Sequence, residues 1–431
     1  MSRSTGIPRR HRPCRLLIPS LLLVPAGALA QAPDAGEALF QRRCASCHGE
    51  DAHGGEFAGG ILDRVAVLDD ASLEDLIQNG IPSRGMPSFD LDRAELIGLV
   101  AYLRKLRSPR SSREPREAVS VETPAGEAME GMVLNRSFED LQLLTPDGRV
   151  RLFRREGDDR YRPVTSEVEW PTYDGTYRGY RYTPLDQIDR GSVPLLAPRW
   201  IFTFQETSPL ETTPVVKDGL MYVTSGNQCW ALDAGSGRPI WHYGRPLTRG
   251  LVGNAVNGIN RGVAVDESHV YMVTDHAHLL ALDRFTGELV WETVMGDWRE
   301  NYSATAAPMV AARLVISGTA GGDAGARGFL AAYAPDTGRE VWRFWTAPAP
   351  GKPGSETWVG PAIEHPGAVT WLTGSYDPER ETLYWTTGNP GSDLDGGVRL
   401  GDNLYSDAVL ALDVHTGRLE WYYQFTPHDT W

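Results

Sequence analysis

Ala281-Leu282-Asp283-Arg284-Phe285-Thr286-Gly287-Glu288-Leu289-Val290-Trp291 is the stretch on which the fold turns. Its skeleton, Ala-x-Asp-x-x-Thr-Gly-x-x-x-Trp, recurs at Ala231 to Trp241, with Ser236 for Thr, and at Ala411 to Trp421. Ala332 to Trp342 is a fourth copy, with Ala334 in place of the Asp. Trp200 marks one more unit without the full motif. Successive Trp residues are 41, 50, 51 and 79 residues apart, so the last step holds an insertion. Around each copy lie short alternating stretches bounded by turn residues, such as Leu220-Met221-Tyr222-Val223 followed by Cys229-Trp230-Ala231-Leu232. His269 to Val273 followed by Leu279 to Leu282 is a second case. Small four-stranded sheets repeated at this period are propeller blades. The Trp is then blade-to-blade glue, a flat ring covering the neighbouring sheet, and not a catalytic group.

The N-terminal part is different. Cys44-Ala45-Ser46-Cys47-His48 has the spacing of a c-type haem attachment site, with His48 placed as an axial iron ligand. The alternative is a zinc knuckle, which needs further ligands at matching spacing. Gly85-Met86-Pro87 begins 37 residues beyond His48 and offers a thioether as the other axial ligand, the pairing that raises a haem potential. The alternative for Met86 is core packing; Met129 and Met132 are other candidate ligands. Helices are expected over Gly36 to Gln41, Ser72 to Asn79 and Leu91 to Leu106; in the last, Leu96, Leu99, Val100 and Leu103 recur at helical spacing. Residues 31–108 thus resemble a class I cytochrome c domain, all-α, holding one covalent haem c for one-electron transfer.

Residues 1–30 read as a cleavable export signal. Five Arg precede the apolar run Leu16 to Leu29, which Pro19 and Pro25 interrupt, and Ala28-Leu29-Ala30 is a small-x-small cleavage site. The rival is a membrane anchor; with cleavage no anchor remains and the protein is periplasmic, where haem c is attached. Loss of five Arg takes the net charge from −14 to −19. Such a chain does not bind nucleic acid or anionic lipid through charge alone. With two Cys on haem and Cys14 in the leader, Cys229 has no partner for a disulfide. Residues 109–169 read as a linker with a small β-hairpin, Leu141 to Leu144 and Val150 to Phe153 about the Pro146-Asp147-Gly148 turn.

Residues 170–431 resemble the quinoprotein alcohol dehydrogenases, eight-bladed propellers that use pyrroloquinoline quinone (PQQ). Trp170-Pro171-Thr172-Tyr173 and Arg181 to Leu185 look like that family's opening strand. Motif by motif, the resemblance places Glu211 of Glu-Thr-Thr-Pro beside the quinone. It puts Arg261 of Asn260-Arg261-Gly262 on a cofactor carboxylate, where a guanidinium fork suits a tri-carboxylate ligand. Thr305 of Thr-Ala-Ala-Pro falls on another carboxylate. Gly321-Gly322-Asp323 stands where the family has Gly-Ala-Glu, whose acid binds a metal. Asn389 of Thr-Gly-Asn-Pro is a second metal ligand, and Trp371 is the floor under the quinone. Carboxylate and amide oxygens suit Ca²⁺ or a lanthanide. Singly, Arg261 reads equally as an ion pair, Asn389 as a turn residue and Trp371 as core; it is their occurrence together and in order that marks a pocket.

Two departures stand out. Asn254 to Ile259 contains no Cys, so the vicinal disulfide that often precedes the Asn-Arg-Gly motif is missing. The sequence closes on His428-Asp429-Thr430-Trp431, one residue before the family's catalytic Asp, and Asp429 is not the matching position. No catalytic residue is therefore assigned, and about half of an eight-bladed ring is expected here. The resemblance implies a quinohaemoprotein dehydrogenase oxidising a small alcohol or sugar and passing electrons through haem c to an external cytochrome or respiratory chain. The alternative is a non-enzymatic propeller scaffold fused to an electron-transfer cytochrome.

Overall fold

The computed structural model describes residues 35–48, 52, 61, 64–65, 68–82, 86–106, 117–123, 126–136, 140–157, 160–164, 169–204 and 209–431. The leader read over 1–30 and Gly85 of the Gly-Met-Pro turn lie outside the described residues.

Helices α1 (Ala35–Arg43), α2 (Ala45–His48), α3 (Asp70–Asn79) and α4 (Arg93–Leu106) make up the N-terminal part. Asp69 caps α3 by accepting from Ser72 N at 2.7 Å. Asp92 and Glu95 cap the start of α4 reciprocally, Asp92 Oδ1 accepting from Glu95 N and Glu95 Oε2 from Asp92 N. The apolar faces of these helices share one core of Leu39, Phe40, Leu73, Ile77, Leu96, Leu99 and Leu103. Helices α1 and α4 cross at Gly36 and Gly98, where a Cβ on Gly36 would lie 2.0 Å from the Gly98 carbonyl oxygen. No helix among the described residues is long and apolar enough to cross a membrane.

The span 109–169 is more than a linker with one hairpin. Strands β1 (Ala118–Glu122), β2 (Ala128–Arg136), β3 (Asp140–Leu144), β4 (Val150–Gly157) and β5 (Arg160–Pro163) form a closed barrel. Four pairings are antiparallel; a single parallel pair, Glu122 with Arg160, closes the ring. Val121, Leu141, Leu143 and Phe153 fill its interior, while Leu152 joins the core of the first blade. Charge fixes that junction: Arg154 pairs with Asp233 at 2.7 Å and Arg238 with Asp140 at 2.9 Å, both carboxylates being buried.

From β6 onward the described residues form four antiparallel four-stranded sheets. Blade I is β6 (Val215–Lys217), β7 (Leu220–Ser225), β8 (Gln228–Asp233) and β9 (Pro239–Gly244). Blade II is β10 (Ala264–Val265), β11 (His269–Val273), β12 (His278–Asp283) and β13 (Leu289–Val294). Blade III is β14 (Met309–Ala311), β15 (Leu314–Gly318), β16 (Phe329–Tyr333) and β17 (Glu340–Trp345). Blade IV is β18 (Ser375–Asp377), β19 (Thr382–Thr386), β20 (Ala408–Asp413) and β21 (Leu419–Gln424).

The repeat motif is the hinge of each blade and its seam to the next. Asp283 Oδ1 accepts from Phe285 N and Thr286 N, closing the turn between β12 and β13; Asp413 does the same for His415 and Thr416. Ala334 has no side chain to do this, and its turn closes through the backbone, Gly338 N to Ala334 O at 2.9 Å. Each Trp then lies against the next blade's glycine. Gly287, at φ +74, leaves the space that Trp241 fills: a Cβ there would be 2.6 Å from the indole. Gly237, Gly338 and Gly417 receive Trp200, Trp291 and Trp342 in the same way. Every one of these indoles also donates to the carbonyl just after the next motif's Asp position, at Ala234, Arg284, Pro335 and Val414. Trp421 stays 48% exposed.

Candidate functional site

The residues singled out from the sequence come together because the innermost strands of successive blades begin side by side. Thr213 N donates to Arg261 O at 2.9 Å, and Arg261 N to Thr305 O at 2.9 Å. Thr373 Oγ1 continues the chain to Ala307 O at 2.8 Å. These residues precede β6, β10, β14 and β18, so one end of the propeller collects one motif from each blade. The Asn-Arg-Gly motif is built for this. Buried Asn260 donates to Val273 O and accepts from Thr224 Oγ1 and Gly262 N, fixing the backbone on either side of Arg261. Gly262, at φ +130, lets the chain pass Thr213, whose carbonyl oxygen would lie 2.9 Å from a Cβ.

A cavity of about 480 Å³ opens there. Arg261, Thr305, Gly321, Gly322, Asp323, Trp371 and Asn389 all line it, with Asp393, Leu394 and Trp431 at its edge. The Arg261 guanidinium lies 4.9 Å from the centre of the Trp371 ring. Its Nη2 pairs with Glu211 at 2.7 Å, while Nη1 is buried with no hydrogen-bond partner among the described residues. A buried guanidinium N–H without an acceptor is costly, and a carboxylate-bearing ligand would satisfy it. Glu211 is the one predicted residue absent from the cavity lining; its carboxylate braces Arg261 from the side.

Oxygen donors also gather on the lining. Asp323 and Asn389 sit on the connections after the second strands of blades III and IV. Asp393, which sequence reasoning missed, joins them: its Oδ1 accepts from Asn389 Nδ2 at 2.9 Å. Burial, and then the charge of Asp323, hold the Asp393 carboxyl above its ordinary pKa. Fully buried Arg399 anchors this loop through the carbonyls of Ser392 and Asp393 and the Asn403 side chain. The acid-rich run Asp393-Leu394-Asp395, four residues past Asn389, was the available signal.

At the other site, His48 N and Cys47 N both donate to Cys44 O, so the Cys-x-x-Cys-His run is one short helical turn. Both thiols are partly exposed and unbridged, and burial, then Cys47, push the Cys44 thiol up to about 11. Met86 is held by a two-residue bridge to Ile81, which immediately follows α3 and Gly80. Met129 and Met132 lie on β2 of the barrel.

The family description "Glucose/ethanol/alcohol dehydrogenase, beta-propeller domain" matches residues 170–431. This chain belongs to that PQQ dehydrogenase propeller family. Residues 31–103 match the cytochrome family described as "Cytochrome C oxidase, cbb3-type, subunit III". The quinohemoprotein alcohol dehydrogenase ADH IIB of Pseudomonas putida is 38% identical over 279 residues, 61% of this chain and 40% of its own length. The solved quinohemoprotein alcohol dehydrogenase of Comamonas testosteroni is 35% identical with a TM-score of 0.56, over 61% of this chain and 42% of that one. A europium-containing methanol dehydrogenase is 30% identical with a TM-score of 0.58, over 62% of this chain and 50% of that one. The chain spans less than half the length of the curated relatives it matches.

The cavity fits what a PQQ dehydrogenase propeller must hold. Trp371 offers a flat face, Arg261 an unused donor toward a carboxylate, and Asp323, Asn389 and Asp393 a set of hard oxygen donors. A cation between Asp323 and Asp393 would relieve the charge that helps hold the Asp393 carboxyl up.

One further, half-buried acid has a measurable signature. Burial, and then the charge of Asp429, push Asp407 up to about 6. A carboxyl with a folded pKa above its unfolded value binds its proton more tightly when folded. The native state therefore loses stability as pH rises from about 4 to about 6. Asp407→Asn is expected to raise the thermal midpoint at about pH 8 and to leave it nearly unchanged at about pH 4. Asn also tolerates the left-handed φ of +46 at this position. Equal shifts at the two pH values would remove the titration as the cause.

Proposed function

We propose that this protein is a periplasmic quinohaemoprotein dehydrogenase that oxidises an alcohol or sugar at the Arg261–Trp371 cavity, with PQQ and Ca²⁺ or a lanthanide. Electrons would leave through haem c on Cys44, Cys47, His48 and Met86 to an external acceptor. The observation that carries this reading is the convergence on one cavity of a guanidinium with one buried, unpartnered nitrogen, a flat indole and three oxygen donors. When bound, the quinone supplies a two-electron acceptor, the cation a Lewis acid and the haem a one-electron outlet. Arg261 fixes one end of a planar carboxylate-bearing ligand and Glu211 fixes Arg261. Trp371 covers one face and excludes water from it. Asp323 and Asp393 concentrate negative charge where a cation is wanted, and Asn389 adds a neutral amide oxygen.

The test is to load the protein with PQQ and Ca²⁺ or La³⁺ and follow reduction of the haem and of an added dye across alcohols, sugars and aldehydes. Quinone binding that needs the cation supports the reading; with no catalytic residue assigned in this chain, alcohol-dependent reduction is a separate readout of turnover. Failure of the protein to bind PQQ with either cation would leave the propeller a scaffold.

The haem assignment carries its own prediction. Protein made with its first thirty residues is expected to recover one covalent haem from the periplasm, measured by the pyridine haemochrome spectrum. Cys47→Ala removes one of the two thioether links and is expected to weaken or abolish attachment. Unchanged covalent haem in that variant overturns the assignment.

A further inference from the structure

The connection between the second and third strands brings Asp323 to the cavity in blade III and Asn389 in blade IV. In blade II the same connection, Thr274-Asp275-His276-Ala277-His278, presents two imidazoles instead. The turn is tight. Thr274 N donates to His278 O at 2.9 Å, and Ala277 N to Thr274 O at 3.1 Å with Ala277 at φ +59. The His276 and His278 rings therefore stand 4.0 Å apart between centroids. Glu292, on the outermost strand β13, meets them there. One donor atom from each of the three residues lies within 4.8 Å of the others.

A second, independent feature is the shell behind these side chains. Asp275 is buried and its carboxylate is fully used. It accepts from Thr248 N at 2.6 Å, Thr248 Oγ1 at 2.9 Å, Asn227 Nδ2 at 2.9 Å and His276 Nδ1 at 2.8 Å. It is thus no ligand itself but sets the imidazole's orientation and leaves Nε2 with its lone pair. His278 Nδ1 lies 2.5 Å from Glu292 Oε1, and Arg245 holds the same carboxylate from the far side at 2.9 and 3.2 Å. The Asp275–His276 pair is the carboxylate-behind-imidazole arrangement that aims a histidine at metal ions, whereas the His278–Glu292 contact is a direct hydrogen bond between two ligand groups, which a bound ion would replace.

We propose that His276, His278 and Glu292 form a binding site for one divalent transition-metal ion of the Zn²⁺ class, with solvent completing the coordination. Two imidazoles and one carboxylate match the donor preference of Zn²⁺. They do not match that of Ca²⁺ or a lanthanide, which take oxygen. None of the three residues lines the cavity with Asp323 and Asn389, and the cavity's cation and this one are told apart by donor type. Because His278 begins β12 and Glu292 belongs to β13, a bound ion ties the turn to the blade's outer edge. It would stabilise the folded blade by mass action.

The test uses untagged, haem-loaded protein, in which Cys44, Cys47 and His48 are already occupied. After chelator treatment it is dialysed against Zn²⁺. The expected result is one ion per chain, X-ray absorption showing two imidazole nitrogens at about 2.0–2.1 Å, and a raised thermal midpoint. His276→Gln and His278→Gln should each weaken binding at least ~10-fold, whereas Asp323→Asn should not. The proposal is overturned by substoichiometric binding in the parent protein, by an all-oxygen absorption spectrum, or by a double His variant that binds like the parent. The first two readouts need no variant, so a folding defect cannot mask the answer.

Discussion

Arg261→Ala is expected to weaken PQQ binding about 10–100-fold, the value of one or two charge-assisted hydrogen bonds at ~1.4 kcal/mol per decade. The guanidinium is committed on one side only: Nη2 to Glu211 at 2.7 Å, with Nη1 buried and unpaired. A ligand carboxylate therefore meets a donor that loses no existing partner, and little of the gain is spent on breaking an ion pair. The fold should tolerate the change. The links of Arg261 to Thr213 and Thr305 run through its backbone, and the Glu211 side chain, 39% exposed, can return to water. Arg261→Lys keeps the charge but not the fork and should recover only part of the affinity. Quinone titration by tryptophan quenching, with circular dichroism to confirm folding, gives both quantities. If the Ala and Lys variants bind PQQ like the parent, the quinone is held elsewhere.

The propeller could be read from the sequence because one eleven-residue motif does three local jobs at a fixed spacing. Asp283 closes a turn, Gly287 leaves room for an indole, and Trp291 reaches the next blade. Each job constrains residue type, so the pattern survives in the sequence even where Ala334 drops one of them. The barrel was not legible. Its strands β1 and β2 are mostly exposed or half-buried, and its closure is the single Glu122–Arg160 pair across some forty residues, which leaves no local periodicity. Only the β3–β4 hairpin, with its Pro-Asp-Gly turn, carried a signal. In the cavity, Arg261, Trp371, Asp323 and Asn389 were readable through motif resemblance. The pairing of Glu211 with Arg261 was not readable, because a contact between two blades cannot be seen in either segment alone. Asp393 was missed for a different reason. Its position depends on Arg399, six and seven residues further on, gathering the carbonyls of an irregular loop, and such a loop has no periodicity to read.

Trp241→Ala is expected to destabilise the propeller by about 3–5 kcal/mol, the range for truncating a fully buried Trp. Trp241 has no exposed surface; its ring lies on Gly287 and its Nε1 donates to Arg284 O at 2.9 Å. Removing it opens a void between blades I and II and leaves that carbonyl without its indole donor. Trp421 occupies the same motif position in blade IV but is 48% exposed. Trp421→Ala should therefore cost far less, within about 1 kcal/mol. Gly287→Ala probes the seam from the other side. Its Cβ would meet the indole at 2.6 Å, on a backbone at φ +74, so the added methyl should destabilise although it removes nothing. Urea unfolding followed by circular dichroism, with the haem Soret band as a separate reporter of the helical part, ranks the three variants. Blades that stack as a chain of nearest neighbours lose stability at the seam that is cut. If Trp241→Ala and Trp421→Ala cost the same, the indoles act within their own sheets and the seam reading fails.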